Sequence, residues 1–438
     1  MTSPRPSFRI DPGGALTGCL RVPGDKSISH RAIMLGALAD GVTRISGFLE
    51  GEDSLATLAA FRRMGVHIAG PEEGRVVVNG VGVDGLESPD GPLYVGNSGT
   101  SMRLLAGLLA GAGVEATLTG DVSLSGRPMR RVMDPLAAMG GRIEASPEGT
   151  APLRIHPAGT LTGIYYDMPV ASAQVKSALL LAGLWAEGET CVTEPAPTRD
   201  HTERMLVGFG YAVRQEGGRR CLRGGGRLRA CPVEVPGDIS SAAFFLVGAA
   251  IAPGSDVTLE HVGLNPTRTG VINILRAMGA DIETGEPRLV GGEPVGAVRV
   301  RYRPLHGIVI PADQVPLAID EFPALFIAAA CARGTTVLTG AAELRVKESD
   351  RIQVMADGLA VLGITAEATA DGMVIEGGEP GGGVVESHGD HRIAMAFAMA
   401  ALRAREAITV HDVANVATSF PGFVGLAARA GLAIAEVT

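Results

Sequence analysis

Basic side chains stand at the start of an apolar segment near the N-terminus, where helix electrostatics would favour acidic ones. The segment "RVPGDKSISHRA" at 21–32 places Lys26 and Arg31 at the head of a predicted helix. The N-terminus of a helix is partly positive, so acidic residues normally occupy its first turn. The arrangement therefore predicts a bound anion at this point, unless the segment is not helical.

The same arrangement recurs along the chain. Arg103, Lys176 and Arg392 stand at or just inside the starts of three further apolar segments. Amphipathic segments that begin "SGRPMRR", "TRDHTER" and "LRVKESDR" add more cations, among them Arg127, Arg199, Lys347 and Arg351. A single arginine is most simply a solvated surface charge. Several cations at helix starts each cost a few tenths of a kcal/mol unless an anion offsets them, so the set favours an anion site.

Two acidic residues lie in or beside these segments and could perform acid or base chemistry. Asp320 in "IDEFPALF" could equally cap the helix that follows it. Glu348 lies beside Lys347 and Arg351, which at positions i and i+4 would share one helix face, and an ordinary ion-pair face explains this trio about as well. If both carboxylates lie among phosphate-binding cations, charge and desolvation tune them for proton transfer.

Other kinds of site find little support in the sequence. The pair His388 and His391 has no evident third ligand, so it is a weak metal site. No phosphate-binding Walker sequence and no dinucleotide-binding glycine loop is present. The formal net charge of −9 argues against a nucleic-acid or anionic-membrane surface, and no apolar run approaches the length of a membrane span.

The length of 438 residues predicts two or three domains. The five cysteines are scattered and form no C-x-x-C pair, which is typical of reduced thiols in a cytoplasm. We therefore expect a cytoplasmic protein with five free thiols.

A repeat of about 70 residues runs through the whole chain. Each copy contains one very apolar predicted helix, five of the six ending in a glycine cap signal, one amphipathic helix and several short strands. The amphipathic helices end at six glycines: Gly65, Gly140, Gly210, Gly279, Gly363 and Gly431. The phrase "VPGD" occurs at 22–25 and again at 235–238, before two of the apolar helices. We interpret these as crossings between a domain of residues 24–236 and a second domain of residues 1–23 with 237–438.

The ordered motifs "PGDKSISHRA", "GNSGTSMRLLAGLLAG", "SAQVKSALLLAGL", "TRDHTERM", "LRVKESDR" and "DHRIAM" resemble those of the 5-enolpyruvylshikimate-3-phosphate synthases, in the branch called class II. The resemblance covers essentially the whole chain. It implies an α/β fold of two domains, the inside-out barrel of the enolpyruvyl transferases, with three βαβαββ units in each domain and the active site in the cleft between them. It also implies an enzyme that transfers the enolpyruvyl group of phosphoenolpyruvate to the 5-hydroxyl of shikimate 3-phosphate and releases phosphate, without metal or cofactor. We expect the protein to be a monomer.

The resemblance also assigns roles to residues, motif by motif. Those expected to bind shikimate 3-phosphate are Lys26, Ser27, Arg31, Ser172, Ala173, Gln174, Arg199, Asp320 and Lys347. Those expected to bind phosphoenolpyruvate are Lys26, Gly99, Arg127, Gln174, Lys347, Arg351 and Arg392. Asp320 is expected to be the base on the 5-hydroxyl, and Glu348, with Lys26 or Lys347, the proton donor to the methylene carbon.

The sequence departs from other branches of this family at three positions. Thr418 stands where many members have a lysine, Arg199 where others have a tyrosine, and Leu104 where a proline is common. Gly99 matches the small residue associated with inhibition by glyphosate. Two other functions stay open: a UDP-N-acetylglucosamine enolpyruvyl transferase, whose reactive cysteine loop has no counterpart around Cys191, Cys221 or Cys231, and a non-catalytic phosphometabolite-binding protein.

Overall fold

The structure is a computed structural model and describes residues 5–437. Its helices are α1 Lys26–Leu38, α2 Glu52–Arg63, α3 Gly99–Ala112, α4 Val122–Ser125, α5 Arg130–Ala138, α6 Ala173–Ala182, α7 His201–Gly208, α8 Ile239–Ile251, α9 Gly270–Ala277, α10 Phe322–Ala330, α11 Arg351–Val361, α12 His391–Ala400 and α13 Phe423–Ala430. Four short 3₁₀ helices lie at Ala312–Gln314, Ala342–Val346, Ala401–Arg403 and Ala414–Thr418.

The strands are short and numerous. They are β1 Ser7–Ile10, β2 Thr17–Leu20, β3 Ala39–Ser46, β4 His67–Glu72, β5 Arg75–Val81, β6 Leu93–Tyr94, β7 Ala116–Thr119, β8 Arg142–Glu144, β9 Leu153–His156, β10 Tyr165–Asp167, β11 Glu189–Thr193, β12 Arg214–Glu216, β13 Arg219–Arg223, β14 Leu228–Arg229, β15 Val233–Glu234, β16 Asp256–Gly263, β17 Asp281–Thr284, β18 Arg288–Val290, β19 Glu293–Arg301, β20 Thr335–Leu338, β21 Ala366–Thr369, β22 Gly372–Glu376, β23 Gly383–Glu386, β24 Ile408–His411 and β25 Ile434–Val437.

The chain divides into two compact units. The central unit comprises Gly24–Val235 with the short segment Leu289–Glu293. The terminal unit comprises the chain up to Pro23, Pro236–Arg288 and the chain from Pro294. Each unit has its own hydrophobic core, so each is described by itself.

Three sheets and three buried helices form the central unit. The sheets have the strand orders β14-β3-β5-β4, with β15 also paired to β3, then β6-β7-β9-β8 and β10-β11-β13-β12. Helices α1, α3 and α6 are apolar around most of their circumference, as a helix inside a core must be. Helix α3 lies so close to α6 that a Cβ on Gly107 would be 2.2 Å from the carbonyl oxygen of Ala178.

The terminal unit repeats this arrangement with different residues. Its sheets have the strand orders β23-β24-β1-β25, β17-β19-β16-β2 and β20-β22-β21. Every residue of α8 and of α10 is buried, and in α12 every residue except Arg392 is buried. In both units the three most apolar helices are buried, whereas the amphipathic helices keep exposed faces; among the described residues no sheet closes into a barrel. The predicted α/β fold class is confirmed.

The six glycines of the sequence repeat end six amphipathic helices. They follow α2, α5, α7, α9, α11 and α13, and their φ angles lie between 76° and 116°. A left-handed backbone of this kind is cheap only for glycine, which explains why the repeat is visible in the sequence. The glycine caps predicted for the apolar helices are mostly wrong, because among those helices only α3 ends in a left-handed glycine, Gly113.

Two of the five cysteines are joined, contrary to the expectation of five free thiols. Cys191 on β11 and Cys221 on β13 are directly opposite each other in an antiparallel pair, with a Cα–Cα distance of 4.1 Å, and form a disulfide. Cys19, Cys231 and Cys331 are free. The sequence could not suggest this pairing because the two residues are 30 positions apart and their opposition depends on strand register.

The described residues 5–437 contain no helix that is both long and apolar enough to span a membrane.

Candidate active site

Helix α1 begins with a cation because a neighbouring aspartate supplies its cap. The Asp25 carboxylate accepts a hydrogen bond from the backbone N–H of Ile28 at 2.9 Å, which fixes the start of the helix. The next residue, Lys26, therefore projects from the first turn. Its ammonium lies 3.0 Å from the Asp53 carboxylate, and its side chain keeps 18% of its surface exposed.

Arg31 lies one turn further along α1 and is buried. Its guanidinium donates to Thr202 Oγ1 at 2.7 Å, to Ser177 Oγ at 2.9 Å and to the carbonyl of Ser27 at 2.9 Å. Burial, with a smaller contribution from the charge of Arg199, lowers the pKa of Arg31 to about 10, while Glu203 acts in the opposite direction. Two positive guanidiniums near each other favour an anion placed against both.

Gly99 is the first residue of α3 and lies between two arginines. A Cβ built on it would be 2.8 Å from Nη1 of Arg103 and 3.1 Å from Nη1 of Arg127. Ser98 caps the helix by accepting from the backbone N–H of Ser101. The N-terminus of α3 thus has two guanidiniums beside it, an arrangement suited to a phosphate or carboxylate group.

Helix α6 supplies Ser172, Ala173 and Gln174 at its start. The Ser172 hydroxyl caps the helix through the N–H of Val175. Gln174 joins α6 to α3, since its carbonyl oxygen accepts from Arg103 at 2.6 Å and its amide donates to Thr100 Oγ1 at 3.1 Å.

The starts of α1, α3 and α6 are brought together by hydrogen bonds between buried side chains. His30 on α1 contacts Thr57 Oγ1 at 2.8 Å, and Thr57 contacts Ser101 on α3 at 2.7 Å. Arg31 reaches Ser177 on α6, as described above. The residues predicted for the central unit, Lys26, Ser27, Arg31, Gly99, Arg127, Ser172, Ala173, Gln174 and Arg199, therefore belong to one end of its helical core.

In the terminal unit, a second group of predicted residues meets around Asp320. Its carboxylate oxygen Oδ1 lies 3.3 Å from Lys347 Nζ and 3.7 Å from Arg351 Nη1. Its backbone carbonyl accepts a hydrogen bond from Arg392 at 2.8 Å. Asp320 does not cap α10, whose preceding residue is Glu321, so the structure excludes the cap role left open above.

Arg351 is 1% exposed and is surrounded by carboxylates. It donates to Asp390 at 2.8 Å and 3.3 Å, and to Glu348 at 2.5 Å. Although burial alone would lower it, the pKa of Arg351 is raised above its ordinary value by Asp390, Glu348 and Asp320. Its Nη1 has no hydrogen bond among residues 5–437 and lies 3.7 Å from Oδ1 of Asp320.

The predicted shared helix face of Lys347 and Arg351 is wrong. Helix α11 begins only at Arg351, and Lys347 follows the 3₁₀ helix Ala342–Val346, where it also pairs with Glu343 at 2.8 Å. The two cations meet at Asp320 instead. Glu348 keeps the ion pair with Arg351 that the sequence suggested.

Lys176 does not face an anion site, contrary to the pattern at the other helix starts. It is completely buried, with its ammonium 2.9 Å from Glu194 and 2.8 Å from Glu203. The sequence cannot distinguish a lysine that faces a ligand from one that is buried in ion pairs, because the two glutamates that pair with Lys176 come from other segments of the chain.

Several site partners were not identified from the sequence. Asp53 forms an ion pair with Lys26, and Asp390 forms one with Arg351. The side-chain oxygen of Asn97 accepts a hydrogen bond from Arg127. Asn97 and Asp390 had a visible signal, since they lie in the quoted motifs "GNSGTSMRLLAGLLAG" and "DHRIAM", whereas Asp53 had none. Thr418, where other branches have a lysine, is buried and donates to the carbonyl of Asn415, so it offers no charge.

Solved structures share this architecture. The enolpyruvyl transferase NikO from Streptomyces tendae superposes with a TM-score of 0.80 at 18% identity, covering 99% of both chains. The fold is therefore that of the enolpyruvyl transferases. An EPSP synthase from Acinetobacter baumannii superposes with a TM-score of 0.89 at 59% identity, covering 99% of this chain and 100% of the other.

Sequence comparison narrows the class further. Residues 10–426 match the family described as EPSP synthase (3-phosphoshikimate 1-carboxyvinyltransferase). Relatives named 3-phosphoshikimate 1-carboxyvinyltransferase from Alkalilimnicola ehrlichii and Nitrosococcus oceani are 71% and 69% identical, each covering 98% of this chain and 96% of the relative. The chain belongs to the EPSP synthase family, and the resemblance drawn from its motifs is confirmed.

Proposed function

We propose that this chain transfers the enolpyruvyl group of phosphoenolpyruvate to the 5-hydroxyl of shikimate 3-phosphate and releases phosphate. The observation that carries the proposal is the gathering of Asp320, Lys347 and Arg351 within 3.7 Å in a chain that is 71% identical to a 3-phosphoshikimate 1-carboxyvinyltransferase. The reaction joins two polyanionic substrates and needs a base. A carboxylate surrounded by cations can act as that base while the cations bind the substrates.

The central unit is proposed to bind the two phosphates. Arg31 and Arg199, with Lys26, Ser27, Ser172, Ala173 and Gln174, bind shikimate 3-phosphate. Gly99, Arg127, Gln174 and Lys26 bind the phosphate of phosphoenolpyruvate. The repulsion between Arg31 and Arg199 supports this assignment, because a doubly charged phosphate relieves it.

The terminal unit is proposed to carry the proton chemistry. Asp320 accepts the proton of the 5-hydroxyl as its oxygen attacks C2 of phosphoenolpyruvate. Glu348, with Lys26 or Lys347, delivers a proton to C3. The tetrahedral adduct then loses phosphate when the proton added at C3 is returned to a base and the double bond forms again.

Arg351 and Arg392 are proposed to bind the carboxylate of phosphoenolpyruvate. Planar guanidinium groups suit a carboxylate because they offer paired donors. Arg351 supports this role with Nη1, which makes no hydrogen bond in the part of the chain described. Lys347 completes the set and contacts both substrates.

The two alternatives predict different substrates. A UDP-N-acetylglucosamine enolpyruvyl transferase needs the nucleotide sugar as acceptor, and a binding protein needs no base at all. The relatives described above are named 3-phosphoshikimate 1-carboxyvinyltransferases, which favours shikimate 3-phosphate as the acceptor. The test is to measure phosphate release from phosphoenolpyruvate with shikimate 3-phosphate, with UDP-N-acetylglucosamine and with no acceptor. Release with the first acceptor alone supports the proposal, and its absence refutes it.

We also propose that the protein works in the cytoplasm as a monomer, without metal or cofactor, with domains at 24–236 and 1–23 with 237–438. The disulfide between Cys191 and Cys221 makes the compartment testable. Alkylation of thiols in intact cells, before lysis, is expected to trap both cysteines if the compartment is reducing.

A further inference from the structure

A buried cluster of four charged residues lies at the start of α6, behind the residues proposed to bind shikimate 3-phosphate. Lys176 Nζ lies 2.9 Å from Glu194 Oε2 and 2.8 Å from Glu203 Oε1. Arg220 lies 3.8 Å from Glu194 and 3.9 Å from Glu203. Two positive and two negative charges balance, so the cluster needs no ligand charge. Buried ion pairs are a weak source of stability, which leaves the purpose of the cluster open.

The cluster is bonded to a loop at Thr198. The hydroxyl of Thr198 donates to Glu194 Oε2 at 2.6 Å, and its carbonyl accepts from Lys176 Nζ at 3.4 Å. The segment 194–200 contains no helix or strand, so these side-chain bonds replace the backbone ladder that would otherwise hold it. Thr198 is thus fixed through both its side chain and its main chain.

The residue after Thr198 is Arg199. Its positive charge disfavours the protonated form of Arg31, so Arg199 lies close enough to act on that guanidinium. Thr198 fixes the backbone that carries Arg199, so the Arg199 side chain starts from a defined position. If the loop is already ordered before the ligand binds, less conformational entropy is lost on binding and the affinity is higher.

We propose that Lys176 and Glu194 are positioning residues, which hold Arg199 against the phosphate of shikimate 3-phosphate by fixing Thr198. This inference rests on the proposed function. It adds residues that contact no substrate but position one that does. Because Arg199 is assigned to shikimate 3-phosphate alone, loss of the restraint weakens the binding of that substrate and leaves phosphoenolpyruvate unaffected.

The variant Thr198→Val tests the inference most cleanly. It removes the hydroxyl without leaving a buried charge, whereas replacing Lys176 would strand two carboxylates and endanger the fold. Thr190→Val is the matched control, because Thr190 is also buried on β11 but its hydroxyl has no hydrogen bond among residues 5–437. Thr198→Ser retains the hydroxyl and serves as the conservative rescue.

The readouts are the KM of each substrate, kcat, the thermal midpoint, and the affinity for shikimate 3-phosphate by calorimetry. Thr198→Val is expected to raise the KM and Kd for shikimate 3-phosphate about tenfold, with the KM for phosphoenolpyruvate and kcat changed less than about twofold. Thr190→Val and Thr198→Ser are expected to match the parent protein.

Equal rises in both KM values, or no change in either, would overturn the inference, since a purely structural role predicts one of these. A lower thermal midpoint with unchanged Kd would overturn it in the same way. A parent protein that releases no phosphate refutes the proposed function instead. Calorimetry still decides on the positioning role in that case, because it needs no turnover.

Discussion

The carboxylate of Asp320 lies 3.3 Å from the ammonium of Lys347, and both side chains are largely buried. A carboxylate beside a cation stays ionised and can accept a proton from a hydroxyl placed against it. The pair is formed by residues 27 positions apart that share no helix face, which is why their proximity was not evident from spacing.

Asp320→Asn keeps the size of the side chain and removes its ability to accept a proton. We expect kcat to fall by a factor of about 10² to 10⁴, with KM changed by less than about threefold. Asp313→Asn, at an exposed position of the same unit, is the control and should leave kcat unchanged. A variant of Asp320 with near-normal kcat would remove it from the proton chemistry.

Lys26→Met removes a proposed contact to both substrates, but it also strands Asp53. That carboxylate is 7% exposed and has lost its cation, so we expect the free energy of unfolding to fall by about 2 kcal/mol and turnover to be abolished. The double variant Lys26→Met with Asp53→Asn separates these effects. It is expected to recover the stability, measured by urea unfolding, and to remain inactive.

Recovered activity in the double variant would show that Lys26 acts only by balancing Asp53. Failure to recover stability would mean that the pair contributes by packing of the lysine stem rather than by charge.

Gly99→Ala introduces a methyl group between two arginines. The built Cβ is 2.8 Å from Nη1 of Arg103 and 3.1 Å from Nη1 of Arg127, so both guanidiniums must shift. We expect the KM for phosphoenolpyruvate to rise several-fold and the inhibition constant of glyphosate to rise more, because the longer inhibitor has less room to adjust. Gly159→Ala, where no atom lies within 4 Å of the built Cβ, is the control. Equal rises for the substrate and the inhibitor would contradict this expectation.

The sequence predicted those features that require one particular type of residue at one position. The six repeat glycines were visible because a left-handed backbone selects glycine, and Lys26 and Arg31 because a cation at a helix start calls for an anion. Lys176 also stands at a helix start, but it binds no anionic ligand there, because Glu194 and Glu203 from other segments neutralise its charge. Pairings between distant segments depend on tertiary packing, which no local pattern encodes.

His30 makes stability depend on pH. Burial, and then the charges of Lys26 and Arg31, lower its pKa well below the ordinary value of 6.5, so the folded protein keeps it neutral. Below about pH 6.5 this histidine is protonated in the unfolded chain but not in the folded protein. The free energy of unfolding therefore falls by up to about 1.4 kcal/mol for each unit by which the pH is lowered. His30→Asn should reduce this slope in urea unfolding between about pH 7.5 and about pH 5.5, whereas His67→Asn, at an exposed position, should not. Identical slopes in all three proteins would show that His30 titrates normally.

The disulfide between Cys191 and Cys221 predicts both a thiol count and a change in stability. Protein denatured without reductant should react with three equivalents of a thiol reagent, from Cys19, Cys231 and Cys331. The bridge closes a loop of 30 residues, so its reduction should lower the free energy of unfolding by about 3.6 kcal/mol through the entropy of the unfolded chain. The Cys191→Ser variant should show the same loss and no further response to reductant. Five reactive thiols, with stability unaffected by reductant, would restore the expectation of free cysteines that the sequence alone suggested.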